Sequence, residues 1–303
     1  MRPHHPDGGA RPPPPADKLA PLRAATARRA DARVPFFIDG IEVGSVARAH
    51  LPLLAQCADA PQVDDDRVVW RDGASGRDAR LARLNHELHS LGLIQGWRDE
   101  DFALVDPASL RVLARSERAA ARFWGTLTFG AHANGYVRDA GQPAGPPTHL
   151  WIAQRSPTKA TDPGCLDNLV GGGVPHGQTP AETLVREGWE EAGLTPAQMA
   201  GHVPSSVLRL QRDIPEGLQH EWLYSFDLEL PAGWTPQNQD GEVAAFTLMP
   251  VDRALAAACG RGSGPAMTVD AALVTLDFGV RHRLLADPDL ARALEGLRIV
   301  RRP

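Results

Sequence analysis

Three glutamates on one predicted helix are the strongest indication of chemistry in this sequence. Glu187, Glu190 and Glu191 occupy positions i, i+3 and i+4, so a helix brings their carboxylates to one face. They fall in the last two turns, where the negative end of the helix macrodipole adds to their mutual repulsion. Mg²⁺ and Mn²⁺ prefer oxygen ligands, and Mg²⁺ often bridges carboxylates to phosphates. The pattern therefore predicts a divalent-metal site that handles a diphosphate.

A capping pattern indicates where this helix begins and ends. Thr179 and Glu182 have the spacing of a capping box, with a proline at the first helical position. Gly193 suits the left-handed conformation that commonly ends a helix. The sequence therefore predicts a helix over about 180–192. The alternative is an ordinary solvent-exposed helix, and the register of these signals with the glutamates argues against it.

Two neighbouring features would support such a site. Arg186 lies four residues before Glu190, so it can tether that carboxylate and hold its rotamer. A run of glycines ahead of the helix forms a loop that can approach a ligand closely. Within that run we expect two positions to bind substrate, Gly172 and Gly173.

The segment from Gly172 to Leu194 resembles the Nudix box, the signature of the Nudix hydrolase family. The resemblance implies a fold of the α+β class: a Nudix α/β/α sandwich with a mixed sheet, preceded here by a smaller α+β N-terminal lobe. It also implies hydrolysis of a diphosphate linked to another group, with Mg²⁺ or Mn²⁺ as the cofactor. By this resemblance Arg186 orients the metal ligands, which are Glu187, Glu190 and Glu191.

Two positions depart from the family pattern. Gln178 stands where glutamate is usual, so one outer metal contact would be neutral. Gly188 stands where an aliphatic residue is usual, and glycine within a helix costs roughly 1 kcal/mol relative to alanine. The first departure bears on the number of metal ions more than on the chemistry.

The similarity extends beyond the box to one branch of the family. The stretches that carry it are 35–44, 117–120, 132–136, 151–159, 163–168 and 238–243. They look like the Nudix domain linked to thiamine pyrophosphokinase, whose members carry an extra N-terminal region of unknown function. This resemblance covers about residues 34–300. It implies a diphosphatase that acts on thiamine diphosphate or on its oxidised or damaged analogues.

Five polar residues outside the box are further candidates. Glu242 follows a turn signal, so it could accept the proton of an attacking water or complete the metal shell. Asn168 could hydrogen-bond the substrate or stabilise a turn. His132 or Asn134 could recognise a heterocycle, although a lone histidine is more often structural. Lys159 could neutralise phosphate oxygens.

Composition and turn-forming residues along the chain indicate four regions. They are a disordered tail rich in Pro, Ala and Arg (1–33), an N-terminal α+β lobe (34–118), a Nudix hydrolase domain (119–258) and a C-terminal helical extension (259–303). Within the lobe, a β-hairpin is expected around an Asp-Gly turn at 39–40, and residues 107–121 are expected to be helical.

The composition is that of a soluble enzyme. The chain has 303 residues, 43% of them hydrophobic, which is enough for a sizeable core, and it has no apolar run long enough to span a bilayer. Its net charge of −5 gives no electrostatic footprint for nucleic acid. Three scattered cysteines fit a reducing compartment. We therefore expect a cytoplasmic protein with a small-molecule diphosphate as partner, and neither nucleic acid nor membrane. A homodimer is left open.

Three other functions share part of this pattern. One is a pyrophosphatase acting on ADP-ribose, a dinucleotide such as NADH, or coenzyme A. Another is isomerisation of isopentenyl diphosphate, for which Cys165 and Glu242 are poor substitutes for the required cysteine and glutamate. The third is a protein that binds a diphosphate without cleaving it, which Gln178 keeps open.

Overall fold

The N-terminal lobe is built on a small mixed sheet. The computed structural model describes residues 17–71 and 73–300. The strands of this sheet are β1 (Arg33–Ile38), β2 (Ile41–Ala47), β3 (Gln62–Asp64) and β4 (Arg67–Trp70). Their order is β2-β1-β4-β3, in which β1 and β4 are parallel and the other pairs are antiparallel. The hairpin expected at the Asp-Gly turn is confirmed as β1 and β2.

Helices and a second hairpin complete the lobe: α2 (Leu51–Leu54), α3 (Arg77–Ser90), β5 (Asp101–Val105), β6 (Val112–Glu117) and α4 (Ala120–Trp124). Its core is closed by Phe36, Trp70 and Trp124, each at most 1% exposed. Inside it, the Trp124 indole donates to Asn85, which in turn donates to Ser116. Apolar packing and this satisfied polar chain give the lobe a core of its own.

The second half of the chain forms one larger mixed sheet. The strands are β7 (Thr128–Arg138), β8 (Pro147–Arg155), β9 (Leu166–Asp167), β10 (Val170–Gly173), β11 (Ser206–Ile214), β12 (Gly217–Glu229) and β13 (Val243–Pro250). The main path of the sheet runs β11-β12-β7-β8-β13, and β12 is parallel to β7. The long strand β7 has two partners on its other side, because β10 pairs with its first half and β8 with its second half.

Helices cover both faces of this sheet. One face packs against α5 (Pro180–Ala192) and α6 (Pro196–Met199). The other packs against α1 (Ala20–Ala24), α7 (Val251–Ala258), α8 (Val269–Arg281) and α9 (Pro288–Glu295). The result is the predicted α/β/α sandwich. Among the helices of the described residues, none has the length and apolar character that crossing a bilayer requires.

Three parts of the sequence behave differently from the prediction. The prediction of a disordered tail up to residue 33 is wrong for residues 17–33. Helix α1 buries Leu22 there, and the backbone then continues along the edge of β11, where the N–H of Gln211 donates to the carbonyl of Ala25. Residues 1–16 lie outside the described residues. The helix predicted over 107–121 is instead strand β6 followed by α4, because pairing with β5 overrides local helix propensity. The helices of the C-terminal extension are present, and they form part of the sandwich rather than an appendage.

Candidate metal and diphosphate site

The helix that carries the three glutamates has the predicted ends. Thr179 Oγ1 accepts from the backbone N–H of Glu182, and the Glu182 carboxylate accepts from the N–H of Thr179 at 2.7 Å. Gly193 ends α5 with φ of +69°. The helix buries the face that contains Glu187 and Glu191, whereas the side chain of Glu190 is 38% exposed. The glutamates therefore lie along the boundary between the sheet and solvent.

A glycine of the loop makes room for the first glutamate. A Cβ atom placed on Gly172 would lie 2.2 Å from Cδ of Glu187, so only glycine leaves space for this carboxylate. Arg186 donates to Glu187 at 2.8 Å and to Glu190 at 2.9 Å. The predicted tether is therefore present, and it joins two of the three carboxylates.

The third glutamate is the most deeply buried. Glu191 is 5% exposed and accepts from the backbone N–H of Gly171 at 2.8 Å. Burial raises its pKa well above the ordinary value, and the nearby charge of Glu187 raises it further. Burial also raises the pKa of Glu187, partly opposed by Arg186. The negative charge on this side of the helix is thus only partly neutralised by the protein.

A small recess of about 10 Å³ lies beside Glu191 and collects the other predicted charges. Glu242 forms an ion pair there with Lys159, and Arg155 donates to Asp167 at 2.8 Å. Burial alone would raise the pKa of Glu242, but the hydrogen bond and charge of Lys159 hold it below its ordinary value. The structure thus brings Glu191, Glu242 and Lys159 together around one point.

The chemistry of these donors fits a hard divalent cation. They are carboxylate oxygens, and two of the carboxylates are buried with raised pKa values, so a cation beside them would relieve their uncompensated charge. Within residues 17–71 and 73–300, no three Asp, Glu, His or Cys side chains already converge at metal-binding geometry. Glu190, which is held by Arg186, would have to rotate to join a shared ion.

Three predicted substrate contacts lie in a hydrogen-bonded chain under the loop. Asn168 uses its amide to donate to Asn134 and to Thr275, and its Oδ1 lies 3.1 Å from Nδ1 of His132. Asn134 in turn donates to Asp227 on the α8 side of the sheet. His132 lines the cleft described below, but Asn134 is 2% exposed and absent from its wall. A direct substrate contact by Asn134 does not fit this placement.

Gln178 takes no part in the acidic cluster. Its side-chain oxygen accepts from Thr183 Oγ1 at 3.0 Å, at the start of α5. The side chain therefore reinforces the helix N-terminus, at the opposite end of α5 from Glu190 and Glu191.

A cleft of about 450 Å³ opens in front of the glycine loop, a size typical of small-molecule sites. One wall is formed by the loop and by Lys159 and Glu242, and another by Arg98, Phe102 and Arg118 of the N-terminal lobe. The cleft is lined elsewhere by residues of β12 and α8, described next.

A second acidic group lies at this far side. Gln219 donates to Asp270 at 3.0 Å and to Glu221 at 3.2 Å, and Arg122 approaches Glu221 at 3.4 Å. Burial and the charge of Glu221 raise the pKa of Asp270 to about 6. Arg118, Glu221 and Asp270 were not predicted from the sequence as site residues. The one signal was that Arg118 lies in a stretch resembling the family's N-terminal region.

Two family descriptions match consecutive parts of the chain. Residues 131–267 match the family described as "NUDIX domain", and residues 18–128 match "Domain of unknown function (DUF4743)". Among solved structures, the chain is similar to DR0079 from Deinococcus radiodurans, with 22% identity and a TM-score of 0.42, over 58% of this chain and 97% of that one.

Curated relatives come from a plant and a yeast. The chain is 37% identical over 206 residues to "Nudix hydrolase 20, chloroplastic" of Arabidopsis thaliana, which covers 68% of this chain and 53% of that protein. It is 31% identical over 252 residues to "Uncharacterized protein YJR142W" of Saccharomyces cerevisiae, which covers 77% of this chain and 71% of that protein. The chain spans about half the length of the Arabidopsis proteins it matches. The chain therefore carries a NUDIX domain preceded by a DUF4743 region, and its Arabidopsis relatives are Nudix hydrolases.

Proposed function

We propose that this chain is a metal-dependent diphosphatase that converts thiamine diphosphate, or an oxidised or damaged analogue, to the monophosphate and phosphate. Nudix hydrolases cleave diphosphate bonds and generally use divalent metal ions. The observation that carries the proposal is the pair of buried, under-neutralised carboxylates, Glu187 and Glu191, directly behind a glycine loop that borders a cleft.

Each side chain has a role in this proposal. Glu187, Glu190 and Glu191 hold Mg²⁺ or Mn²⁺, and Arg186 orients the first two. When bound, the ion neutralises charge on the phosphoryl oxygens and makes a water more acidic. Glycines 171–173 let the diphosphate approach the carboxylates. Glu242 or one of the helix glutamates takes the proton of the attacking water, and the lowered pKa of Glu242 keeps it ionised at neutral pH.

The far side of the cleft supports a substrate whose non-phosphate part is cationic or rich in hydrogen-bond donors. Glu221 and Asp270, which both accept from the Gln219 amide, offer further carboxylate acceptor positions there. The thiazolium and aminopyrimidine rings of thiamine have this character. A nucleoside diphosphate derivative such as ADP-ribose, NADH or coenzyme A is the alternative substrate, because the phosphate end of the cleft would serve it equally.

The isomerase alternative is disfavoured by the position of its cysteine. Cys165 lines neither the cleft nor the recess beside Glu191. An activity assay distinguishes the enzyme from a protein that binds a diphosphate without cleaving it.

A release assay tests the proposal. Thiamine diphosphate, its oxo and oxy analogues, ADP-ribose and NADH are incubated with Mg²⁺ or Mn²⁺, and phosphate and monophosphate products are measured. We expect metal-dependent release, fastest with thiamine-type substrates, which Glu190→Gln abolishes. Glu295→Gln, on the distant helix α9, is the matched control and should retain wild-type rates. Tight binding without release of product would contradict the enzymatic proposal. Faster turnover of ADP-ribose than of the thiamine-type substrates would assign ADP-ribose as the substrate instead.

A further inference from the structure

We propose that the N-terminal lobe supplies the second half of the substrate site and binds the substrate's phosphate groups through Arg118, assisted by Arg98. Both side chains line the cleft opposite the glycine loop. The inference rests on the proposed function for the identity of the bound group, a diphosphate. It assigns a ligand-binding role to the region that matches a domain of unknown function.

Direct contacts join the lobe to the glycine loop. A Cβ atom placed on Gly173 would lie 2.7 Å from Cζ of Phe102 and 3.3 Å from Nη2 of Arg118. The backbone N–H of His176, just beyond the loop, donates to the carbonyl of Asp101 in β5 at 2.7 Å. Because the loop and the hairpin touch, the Arg118 guanidinium is held at the edge of the segment expected to receive the phosphates.

Arg118 is positioned by its own lobe, not by the catalytic helix. Its Nη1 donates to Glu100 at 2.8 Å, and its Cζ lies 5.3 Å from the ring centre of Phe102, within range of a cation–π interaction. In the part of the chain that the structure describes, no residue accepts a hydrogen bond from its Nη2. One side of the guanidinium is therefore fixed and the other is available to a ligand.

The other cations along the cleft differ in what already neutralises them. Lys159 is paired with Glu242, and Arg155 with Asp167. Arg98, in contrast, is exposed, and its side chain forms no hydrogen bond or ion pair with any residue in 17–71 or 73–300. Guanidinium groups bind phosphate oxygens through parallel N–H donors, with bonds stronger than neutral ones. Arg98 of the lobe thus adds to the cleft a guanidinium group that no described carboxylate neutralises, beside the free edge of Arg118.

The charge of the lobe reaches the carboxylates across the cleft. Burial dominates the raised pKa of Glu187, and Arg118 is one of two arginines whose charge opposes that rise. Arg98 and Arg118 also help Lys159 lower the pKa of Glu242. A diphosphate between these groups would therefore meet guanidinium on one side and the proposed metal ligands on the other.

A purely structural role for Arg118 gives different results. If the residue only joins Glu100 and Phe102, its loss lowers stability and leaves the affinity of folded protein for phosphate groups unchanged. If it binds phosphate, its loss raises KM with little change in kcat, and lysine recovers part of the affinity because the charge is retained.

The test uses the full chain with Mg²⁺ and methylenediphosphonate, a diphosphate analogue that is not hydrolysed, so that binding is measured without turnover. Calorimetry compares wild type, Arg118→Gln, Arg118→Lys and Arg98→Gln. The matched control is Arg115→Gln, since Arg115 lies on the same hairpin but pairs with Asp78 away from the cleft. Parallel assays measure KM and kcat for thiamine diphosphate.

We expect Arg118→Gln to weaken binding and raise KM by about tenfold or more, Arg98→Gln by about threefold, and the control to stay within about twofold. Folded Arg118→Gln protein with wild-type affinity would overturn the inference, as would failure of the wild type to bind the analogue. If Arg118→Gln does not fold, Arg98→Gln decides, because its exposed side chain has no described partner to lose, and unchanged affinity counts against the inference. Binding by wild type without hydrolysis of any diphosphate would refute the proposed function and leave this inference intact.

Discussion

Buried carboxylates on the two faces of the central sheet differ in how far neighbouring groups neutralise them. On the α8 face, Asp227 receives hydrogen bonds from Arg281 and Asn134 and lies 3.1 Å from the His282 ring. Burial alone would raise its pKa, but these partners hold the pKa far below its ordinary value. On the α5 face, Glu191 has one backbone donor and a pKa raised well above the ordinary value.

The difference separates charge that builds the fold from charge kept for a ligand. Asp277, fully buried beside Asp227, is also enclosed by Arg281 and Arg298, so the α8 network compensates itself. The α5 carboxylates have no comparable enclosure, and their incomplete neutralisation costs stability. We infer that a cation and a diphosphate complete the second arrangement, whereas the first needs nothing further.

The largest expected effect is on turnover, from Glu191→Gln. The amide oxygen can still accept from Gly171, but one anionic metal ligand is lost. We therefore expect kcat to fall about a thousandfold, which corresponds to a rise of about 4 kcal/mol in the activation free energy. The free energy of unfolding should stay equal or rise, since an under-neutralised buried charge is removed. Steady-state kinetics and urea unfolding of the same preparation measure both effects, and a destabilised variant would show that ionised Glu191 stabilises the fold.

Asp227→Asn should have the reverse profile. Removing the charge of Asp227 leaves Arg281 with one described carboxylate partner, Asp277, in place of two, so we expect the free energy of unfolding to fall by about 3 kcal/mol. Because the folded pKa of Asp227 is depressed, its contribution is present above about pH 4 and is lost as the pH falls below that value. Urea unfolding across this range should show the two proteins converging in acid, and a constant difference would contradict the assignment.

Gly172→Ala tests the close approach of the loop to Glu187. The added Cβ would meet the carboxylate, so we expect its displacement and a loss of turnover of about tenfold to a hundredfold. Gly233→Ala is the control, because nothing lies within 4 Å of a Cβ at that position. Equal activities of the two variants would show that the position of Glu187 does not matter.

Asp270 is an exception on the α8 face, because its pKa is raised to about 6. Since the folded pKa is raised, ionised Asp270 destabilises the protein above about pH 6, and this cost disappears below about pH 4. We expect Asp270→Asn to stabilise the protein by about 1 kcal/mol at about pH 8 and to have no effect at about pH 4. Thermal unfolding at both pH values checks the sign, and stabilisation only in acid would contradict it.

Local signals in the sequence predicted the box helix, because its capping box, Arg186 and Gly193 lie in one short segment. The Asp-Gly turn at 39–40 likewise predicted the hairpin of β1 and β2. Strand β6 was not predicted because its conformation depends on pairing with β5. The ordered structure of residues 17–33 was not predicted because it depends on packing against helices that are distant in sequence. The opposing wall of the cleft was missed for the same reason: Arg118 meets Gly173 only after two regions have folded and docked.

Binding of a divalent cation by α5 can be observed by anomalous diffraction at the manganese edge. Crystals would be grown with Mn²⁺ and methylenediphosphonate. We predict an anomalous peak about 2.0–2.3 Å from carboxylate oxygens of Glu187, Glu190 and Glu191, shared with the analogue's phosphonate oxygens. Density showing the analogue bound in the cleft, Arg186 still bridging Glu187 and Glu190, and no manganese among the three carboxylates would contradict the account.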